Sequence, residues 1–253
     1  MPRTGQPAIR HVAAVERAVA VLNVLAESGG DLGTNEIARR TSINPSSVSR
    51  LLATLAASDL VQHVSETGRY RLGLRLLQLG NVVLAHLDLR EAAHPHLAAL
   101  AEATGETATL SVPGDHEAVT VDFVQSAVSS VQSIARVGRP SVAHATAVGK
   151  VFLACGGKLP DGPLTAYTAR TVTDPERLAR EVARADARGW AEAVGEREPD
   201  LNAIAAPIIG RRGELVAILG IQGPSKRFNR RAMRAAVDQL LASAARLSTR
   251  SPG

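Results

Sequence analysis

The stretch from Thr34 to Gly73, TNEIARRTSINPSSVSRLLATLAASDLVQHVSETGRYRLG, constrains this chain more than any other. Thr34 reads as an N-cap, because its side-chain oxygen can accept an orphan backbone N–H. Glu36 follows in the first turn, where the helix dipole favours an acid. Ile37 and Ala38 are expected to face inward, with the helix ending near Thr41. Asn44-Pro45 then opens a second helix: Asn44 as N-cap, Pro45 at the first helical position, where its missing N–H costs nothing. Val48, Leu51, Leu52 and Leu55 repeat at helical spacing, so that face should be buried. The opposite face carries Ser46, Ser47, Ser49, Arg50 and Thr54. Short hydroxyls and one forked cation at a helix start can reach base edges and phosphates in a major groove.

The spacing is more specific than the composition. Small Ala38 lets two helices cross closely, Ile43 plugs the turn, and Ser42 stands where such turns often have Gly. Residues 60–64 and 70–72 are strand candidates around a turn at 65–69 that contains Gly68. Helix, turn, helix and a basic hairpin make a winged helix-turn-helix. Its candidate DNA contacts are Thr34, Asn44, Ser46, Ser47, Ser49, Arg50 and Arg69. The bland alternative is an ordinary helical pair, with Arg69 and Arg71 as solvated surface.

Composition sets bounds around this module. A length of 253 residues suits one large domain or two small ones. Only 2% of residues are aromatic, so Ala, Val and Leu must fill the interior. No apolar run approaches the roughly 18–20 residues of a membrane span. Glu16 and Arg17 interrupt any signal-like start, which points to the cytoplasm. A single cysteine excludes an internal disulfide and a Cys-cluster zinc site. The net charge is +5, and residues 1–90 hold ten Arg against seven acids. That modest excess suits a few phosphate contacts.

Along the chain, residues 1–10 read as a disordered arm, in which Arg3 and Arg10 are solvated or touch phosphates. Residues 15–26 form a helix with Val15, Ala18, Val19, Leu22 and Leu25 inward, which completes a DNA-binding domain over 11–73. Residues 74–89 make a broadly apolar linker helix, and 90–250 a second domain. There the period changes to two. Strands are expected at 106–112 and 118–125, a third at 131–134, then a loop at 138–143. A short helix spans 145–154, and Asp174-Pro175 opens another that ends at Gly189. Apolar strands at 201–209 and 215–222 flank a Gly210–Gly213 turn, and a helix at 230–247 closes the chain. Hairpins mixed with helices predict an α+β domain with a mainly antiparallel sheet.

The ordered motifs resemble the IclR family of bacterial transcription regulators. They are ERAVAVLNVLAE, TNEIARRT, SSVSRLLATL and GRYRLG, then HATAVGKVFLA, ARGWAEAVGE, AIAAPI and GELVAILGIQGP. The resemblance implies a winged helix-turn-helix, a linker helix and a GAF-like effector-binding domain. It also implies a homodimer or tetramer on double-stranded, palindromic operator DNA, acting as a repressor of a metabolic operon. Its small-molecule effector, an organic acid or an aromatic, would sit between the sheet and the helix carrying Gly149-Lys150. The implied lining is Ala147, Val148, Gly149, Ala203, Gly220 and Gln222. This sequence departs from the family at Ala203 and Gly220, where acid-binding members often have Cys or Ser, and at Asp200, where Gly is usual. The pocket is therefore expected to be short of hydroxyl and thiol donors. Three readings stay open: a carboxylate on the N–H groups at the start of helix 146–153, a larger, less charged molecule beside Gln222, or a pocket that binds nothing.

Other chemistry is weak, and no cofactor or metal is expected. A phosphate loop at Gly149-Lys150 fails, because His144 replaces the required Gly and Val151 the required Ser/Thr. Asp115-His116-Glu117 are adjacent on a turn and point apart, unlike metal ligands. His94 and His96 read as surface residues, and Cys155 as a buried small apolar residue. Alternation cannot decide whether Asp122 faces a pocket or solvent. The rival readings are an enzyme with an accessory N-terminal module, or a DNA-binding protein without a sensor.

Overall fold

The structure is a computed structural model, and it describes residues 12–85, 88–126 and 135–248. The expected arm at 1–10 and the expected strand at 131–134 lie outside the described residues. The chain divides into two units, Met1–His86 and Leu87–Gly253.

In the first unit three helices, α1 (Ala13–Glu27), α2 (Thr34–Thr41) and α3 (Pro45–Ala57), precede a hairpin of β1 (Val61–Val64) and β2 (Arg69–Leu72). Helix α4 (Leu74–Ala85) follows. One apolar cluster joins them: Val21 and Leu25 of α1, Ile37 and Ala38 of α2, Val48, Leu52 and Leu55 of α3, with Leu32 and Val61. The inward face of α1 is therefore shifted from the expected one. Val21 and Leu25 are buried, whereas Val15 and Val19 are 59% and 49% exposed. The helix is apolar around most of its circumference, so spacing alone could not pick its register. Thr34 is the first helical residue rather than the cap. Gly33 occupies the cap position, without a side-chain hydrogen bond. Ser42 takes the left-handed conformation (φ 57°) that ends α2, at the position where Gly was the expected residue.

In the second unit α5 (Asp88–Thr104) leads to a six-stranded antiparallel sheet in the order β5-β4-β3-β8-β7-β6. The strands are β3 (Thr107–Pro113), β4 (Ala118–Gln125), β5 (Pro140–Ser141), β6 (Ala191–Val194), β7 (Leu201–Ile209) and β8 (Leu215–Pro224). The expected loop at 138–143 thus contains a short edge strand, because Ser141 pairs with Ala118. Strand β6 is an addition at the opposite edge, where its Ala-rich sequence gives little β signal. Of the expected helix over 74–89, residues 74–85 are described in α4 and residues 88–89 in α5.

Helices α5 and α8 (Arg230–Ser248) cover one face of the sheet, α6 (Ala147–Ala154) the other, and α7 (Pro175–Arg188) packs on α6. Two caps fix the outer layer. Thr146 accepts from the Gly149 N–H at 2.9 Å, and Asp174 from the Arg177 N–H at 3.0 Å. Helix α6 approaches its own leading segment closely. A Cβ on Gly149 would lie 2.3 Å from the Val142 carbonyl oxygen and 2.5 Å from the Ala143 Cα. Gly149→Ala tests this. Helix propensity alone would stabilise by about 1 kcal/mol. The clash is with backbone and cannot be relieved by a rotamer change, so a net loss of about 1–3 kcal/mol is expected in urea unfolding.

Candidate functional site

The first candidate surface is the exposed face of α3. Asn44 accepts from the Ser47 backbone N–H at 2.8 Å and from the Ser46 hydroxyl at 2.9 Å, which pins the first turn. Beyond it Ser46, Ser49 and Arg50 are exposed and Ser47 is half-buried. Arg50 makes no ion pair among the described residues. The hairpin behaves differently from a loose basic wing. Arg69 donates to the Asp31 carbonyl at 2.8 Å and lies 3.6 Å from the Glu36 carboxylate, while Arg71 pairs with the Asp31 carboxylate at 2.7 Å. Backbone bonding between Leu32 and Tyr70 ties the same hairpin to the segment before α2. Thr34 is half-buried at the start of α2.

The second candidate is a cavity of about 60 Å³ between α6 and the sheet. Of the residues proposed from the sequence, Ala147, Val148, Ala203 and Gln222 line it. Gly149 and Gly220 do not. Gly149 faces the 142–143 backbone, and a Cβ on Gly220 would lie 2.6 Å from the Thr109 hydroxyl and 3.3 Å from Val148. The expected shortage of donors is also overturned. Thr109, Thr120, Ser141 and Thr146 bring hydroxyls, and Arg139, Arg197 and Glu198 bring charge. Arg139 pairs with Glu198, whose Oε2 is buried without a hydrogen-bond partner. Arg197 lies 3.8 Å over the Tyr167 ring, which stacks on buried His144. His144 Nε2 donates to the Thr165 carbonyl at 2.9 Å, so it orients that loop. One sequence signal existed. Thr107, Thr109 and Ser111 alternate with Ala108 and Leu110, which puts three hydroxyls on one face of β3.

Family models described as the IclR helix-turn-helix domain and the bacterial transcriptional regulator IclR C-terminal match residues 14–65 and 81–249. The chain is 33% identical to the transcriptional regulator BhcR of Paracoccus denitrificans, covering 94% of this chain and 86% of the relative. It is 30% identical to the transcriptional repressor IclR of Escherichia coli, over 88% and 84%. The crystal structure of an IclR homologue from Microbacterium hydrocarbonoxydans complexed with 4-hydroxybenzoate superposes with a TM-score of 0.76. The identity there is 27%, over 94% of this chain and 98% of that one. The chain belongs to the IclR family. It is a DNA-binding transcriptional regulator with an effector-binding C-terminal domain, and not an enzyme.

Lysine 150 of this IclR-family regulator, excluded above as a phosphate-loop residue, is a buried structural charge. Its Nζ donates to Glu181 at 2.6 Å, Glu196 at 2.7 Å and the Glu192 carbonyl at 3.3 Å, with only 2% of its side chain exposed. Burial pushes the Glu196 carboxyl above its ordinary pKa, and the Lys150 charge and hydrogen bond offset this only in part. Burial acts on Glu181 in the same sense. There the Lys150 hydrogen bond and charge, with Arg177 and Arg184, prevail and hold it below the usual range.

Two smaller readings, on Cys155 and Asp122, also resolve. Cys155 is exposed at the C-terminus of α6 rather than buried, and partial burial of its thiol, with Asp186 nearby, raises its pKa. Asp122 is buried and faces α5, 2.9 Å from His94 Nδ1 and 3.8 Å from Arg90. Among the described residues no group of metal-ligating side chains and no helix long and apolar enough to cross a membrane is found.

Lys150→Met should destabilise the fold by about 3–5 kcal/mol at neutral pH, because it leaves buried Glu196 uncompensated. A carboxyl with a raised folded-state pKa contributes stability that is present below its unfolded pKa and is lost as pH rises through the folded one. The loss measured by chemical unfolding should therefore shrink between neutral pH and pH ~5. A deficit independent of pH would contradict the Glu196 assignment.

Proposed function

We propose that the regulator is an effector-controlled repressor of a metabolic operon. It acts in the cytoplasm as a homodimer that sets two α3 helices into successive major grooves of a palindromic operator. The observation that carries this reading is the exposed α3 face. Ser46, Ser49 and Arg50, which makes no ion pair among the described residues, stand at the start of a helix whose cap and buried face are fixed. Asn44 and Ser47 order that first turn, and Thr34 opens the supporting helix. Arg69 stays half-exposed at 49%, so it offers a phosphate contact from an anchored position. Exposed apolar residues support self-association. Val12, at the cap of α1, is followed by Val15 and Val19 along that helix, and Leu74, Leu77, Leu79 and Val82 recur along α4.

The polar cavity favours an organic acid over a larger neutral molecule. A volume of about 60 Å³ is well below the ~300–1,000 Å³ of ordinary small-molecule sites, so the pocket must open to admit a ligand. Two residues of its lining, Arg139 and Glu198, are paired with each other. An effector carboxylate can replace the Glu198 carboxylate on Arg139, a like-for-like exchange that leaves no guanidinium unpaired. The Thr109, Thr146 and Gln222 side chains then bond its remaining polar groups. Displacing Glu198 moves the 195–200 loop, and the change reaches the DNA-binding heads through α4. By linkage, operator DNA must alter effector affinity by the same factor.

The deciding experiment is binding to DNA flanking the protein's own gene, across a salt series and against random competitor. Tight binding that survives competitor supports a sequence-specific repressor; binding that competitor abolishes sinks it. Arg50→Ala should cost about 1–3 kcal/mol of operator affinity and relax specificity at one position. Uniform weakening on every sequence would make Arg50 a phosphate contact instead. For the pocket, aromatic and aliphatic carboxylates should raise the melting temperature of the wild type. Arg139→Ala should abolish that shift while leaving operator affinity unchanged. A shift that survives Arg139→Ala would remove Arg139 from the effector site.

A further inference from the structure

A second cavity, of about 650 Å³, lies against α7 and shares no lining residue with the effector pocket. Its volume falls within the ~300–1,000 Å³ of small-molecule sites. One stripe of α7 forms a wall. Arg177, Glu181, Arg184 and Arg188 recur at spacings of four, three and four, so they share a face. Arg170, before α7, and Arg230, at the start of α8, add guanidiniums from two other directions. The buried Lys150 supplies a sixth cation, and Glu181, Glu192 and Glu196 are the acids that face them.

These acids do not saturate the arginines. Arg177 lies 3.5 Å and Arg184 3.9 Å from Glu181, while Arg188 and Arg230 lie 4.0 and 3.8 Å from Glu192. Such distances are at or beyond hydrogen-bond length, and one carboxylate is shared by two guanidiniums in each case. The Glu181 carboxylate already receives the Lys150 ammonium at 2.6 Å. Arg188 is held in place independently. It donates to the Trp190 carbonyl at 2.7 Å, and its guanidinium lies 3.6 Å over the Trp190 ring. Burial, with repulsion from Arg184 and Arg234, lowers its pKa against the pull of Glu192, a repulsion that an anion would relieve.

A second observation lies at the floor of the same cavity. Glu196 is 7% exposed, its Oε1 receives the Lys150 ammonium, and its Oε2 has no hydrogen-bond partner. A buried carboxylate oxygen without a donor is costly, and the residue lines the cavity. Open guanidinium forks suit phosphate oxygens, and the unpartnered oxygen suits a hydroxyl donor. The forks come from three separate elements, and a single phosphate occupies only one or two of them. The concave shape and the buried Lys150–Glu196 floor suit a small molecule better than the extended surface of a nucleic acid.

We propose that this cavity is a second ligand site, for a small metabolite that carries at least two phosphates and a free hydroxyl. The bound phosphates bridge α7, the Arg170 segment and the start of α8, and the hydroxyl donates to Glu196 Oε2. The regulator thereby senses two classes of molecule at two separate sites.

Titration calorimetry of the full chain tests it, with sulfate, inorganic pyrophosphate and fructose 1,6-bisphosphate at one ionic strength held with chloride. Saturable binding of pyrophosphate, tighter binding of the hydroxylated bisphosphate and much weaker binding of sulfate are expected. The double variant Arg177→Ala/Arg184→Ala changes two exposed side chains and should keep the wild-type melting temperature. It should weaken the bisphosphate by at least about tenfold, or ~1.4 kcal/mol. Arg139→Ala, in the effector pocket, should bind it as the wild type does. The proposal is overturned if pyrophosphate gives no saturable heat, if the double variant binds as tightly as the wild type, or if only a long polyanion such as heparin binds. Equal affinity for pyrophosphate and the bisphosphate would remove Glu196 as a hydroxyl acceptor.

Discussion

Helix α6 is the constraint on which the second domain depends. It is only eight residues long, and its first six are buried. Gly149 lets it lie against the 142–143 backbone, which no side chain at that position would allow. That seat sends Ala147 and Val148 toward the small pocket and Lys150 toward the α7 cavity. A buried ammonium is tolerable only when its charge and hydrogens are matched, and here two carboxylates and a carbonyl do so. Such a group contributes little net stability against an apolar replacement of the same shape. Its effect is geometric, because it fixes α6, α7 and the 192–196 segment to one another.

The two cavities on α6 differ in how their charge is arranged. In the small pocket an acid and a base close on each other, so an entering anion must compete with Glu198 for Arg139. In the α7 cavity the cations outnumber the acids, and the arginines stand apart from their nearest carboxylates. The first arrangement selects, since a ligand that cannot replace the lost ion pair leaves a charge unmatched. The second attracts, and its pull falls with ionic strength because most of its guanidiniums are exposed to solvent.

The DNA-binding domain was legible because its signals are local. Asn44 and Pro45 mark a helix start that the structure repeats, and the Val48–Leu52–Leu55 spacing gives the buried face directly. The misreadings there were also local. Thr34 is the first helical residue of α2 and not its cap, and α1 is apolar on more than one side. The small pocket beside α6 was legible only in part, for a different reason. Ala147, Val148, Ala203 and Gln222 sit in regular elements with recognisable motifs, whereas Arg139, Arg197 and Glu198 come from irregular segments. The Arg139–Glu198 pair spans 59 positions, and no periodicity encodes a contact of that kind. The α7 stripe was periodic, but its partners Arg170 and Arg230 meet it only through tertiary packing.

The same distinction bears on how the N-terminal domain uses its charge. A surplus of arginine suggests an electrostatic grip on phosphates, but several of these arginines are already engaged within the domain. Arg40 pairs with Glu36 at 2.6 Å, Arg71 with Asp31 at 2.7 Å, and Arg69 holds the Asp31 carbonyl. Each engaged guanidinium must give up part of an internal contact to displace a counterion from DNA, so net charge overstates the phosphate-binding capacity. What those pairs provide is rigidity: they clamp the hairpin to the segment that leads into α2. Arg50, held by no such pair among the described residues, remains on the face of α3 beside three serines. On the proposed reading of α3, recognition in this domain rests more on positioned donors than on bulk charge, which favours discrimination between sequences over non-specific affinity.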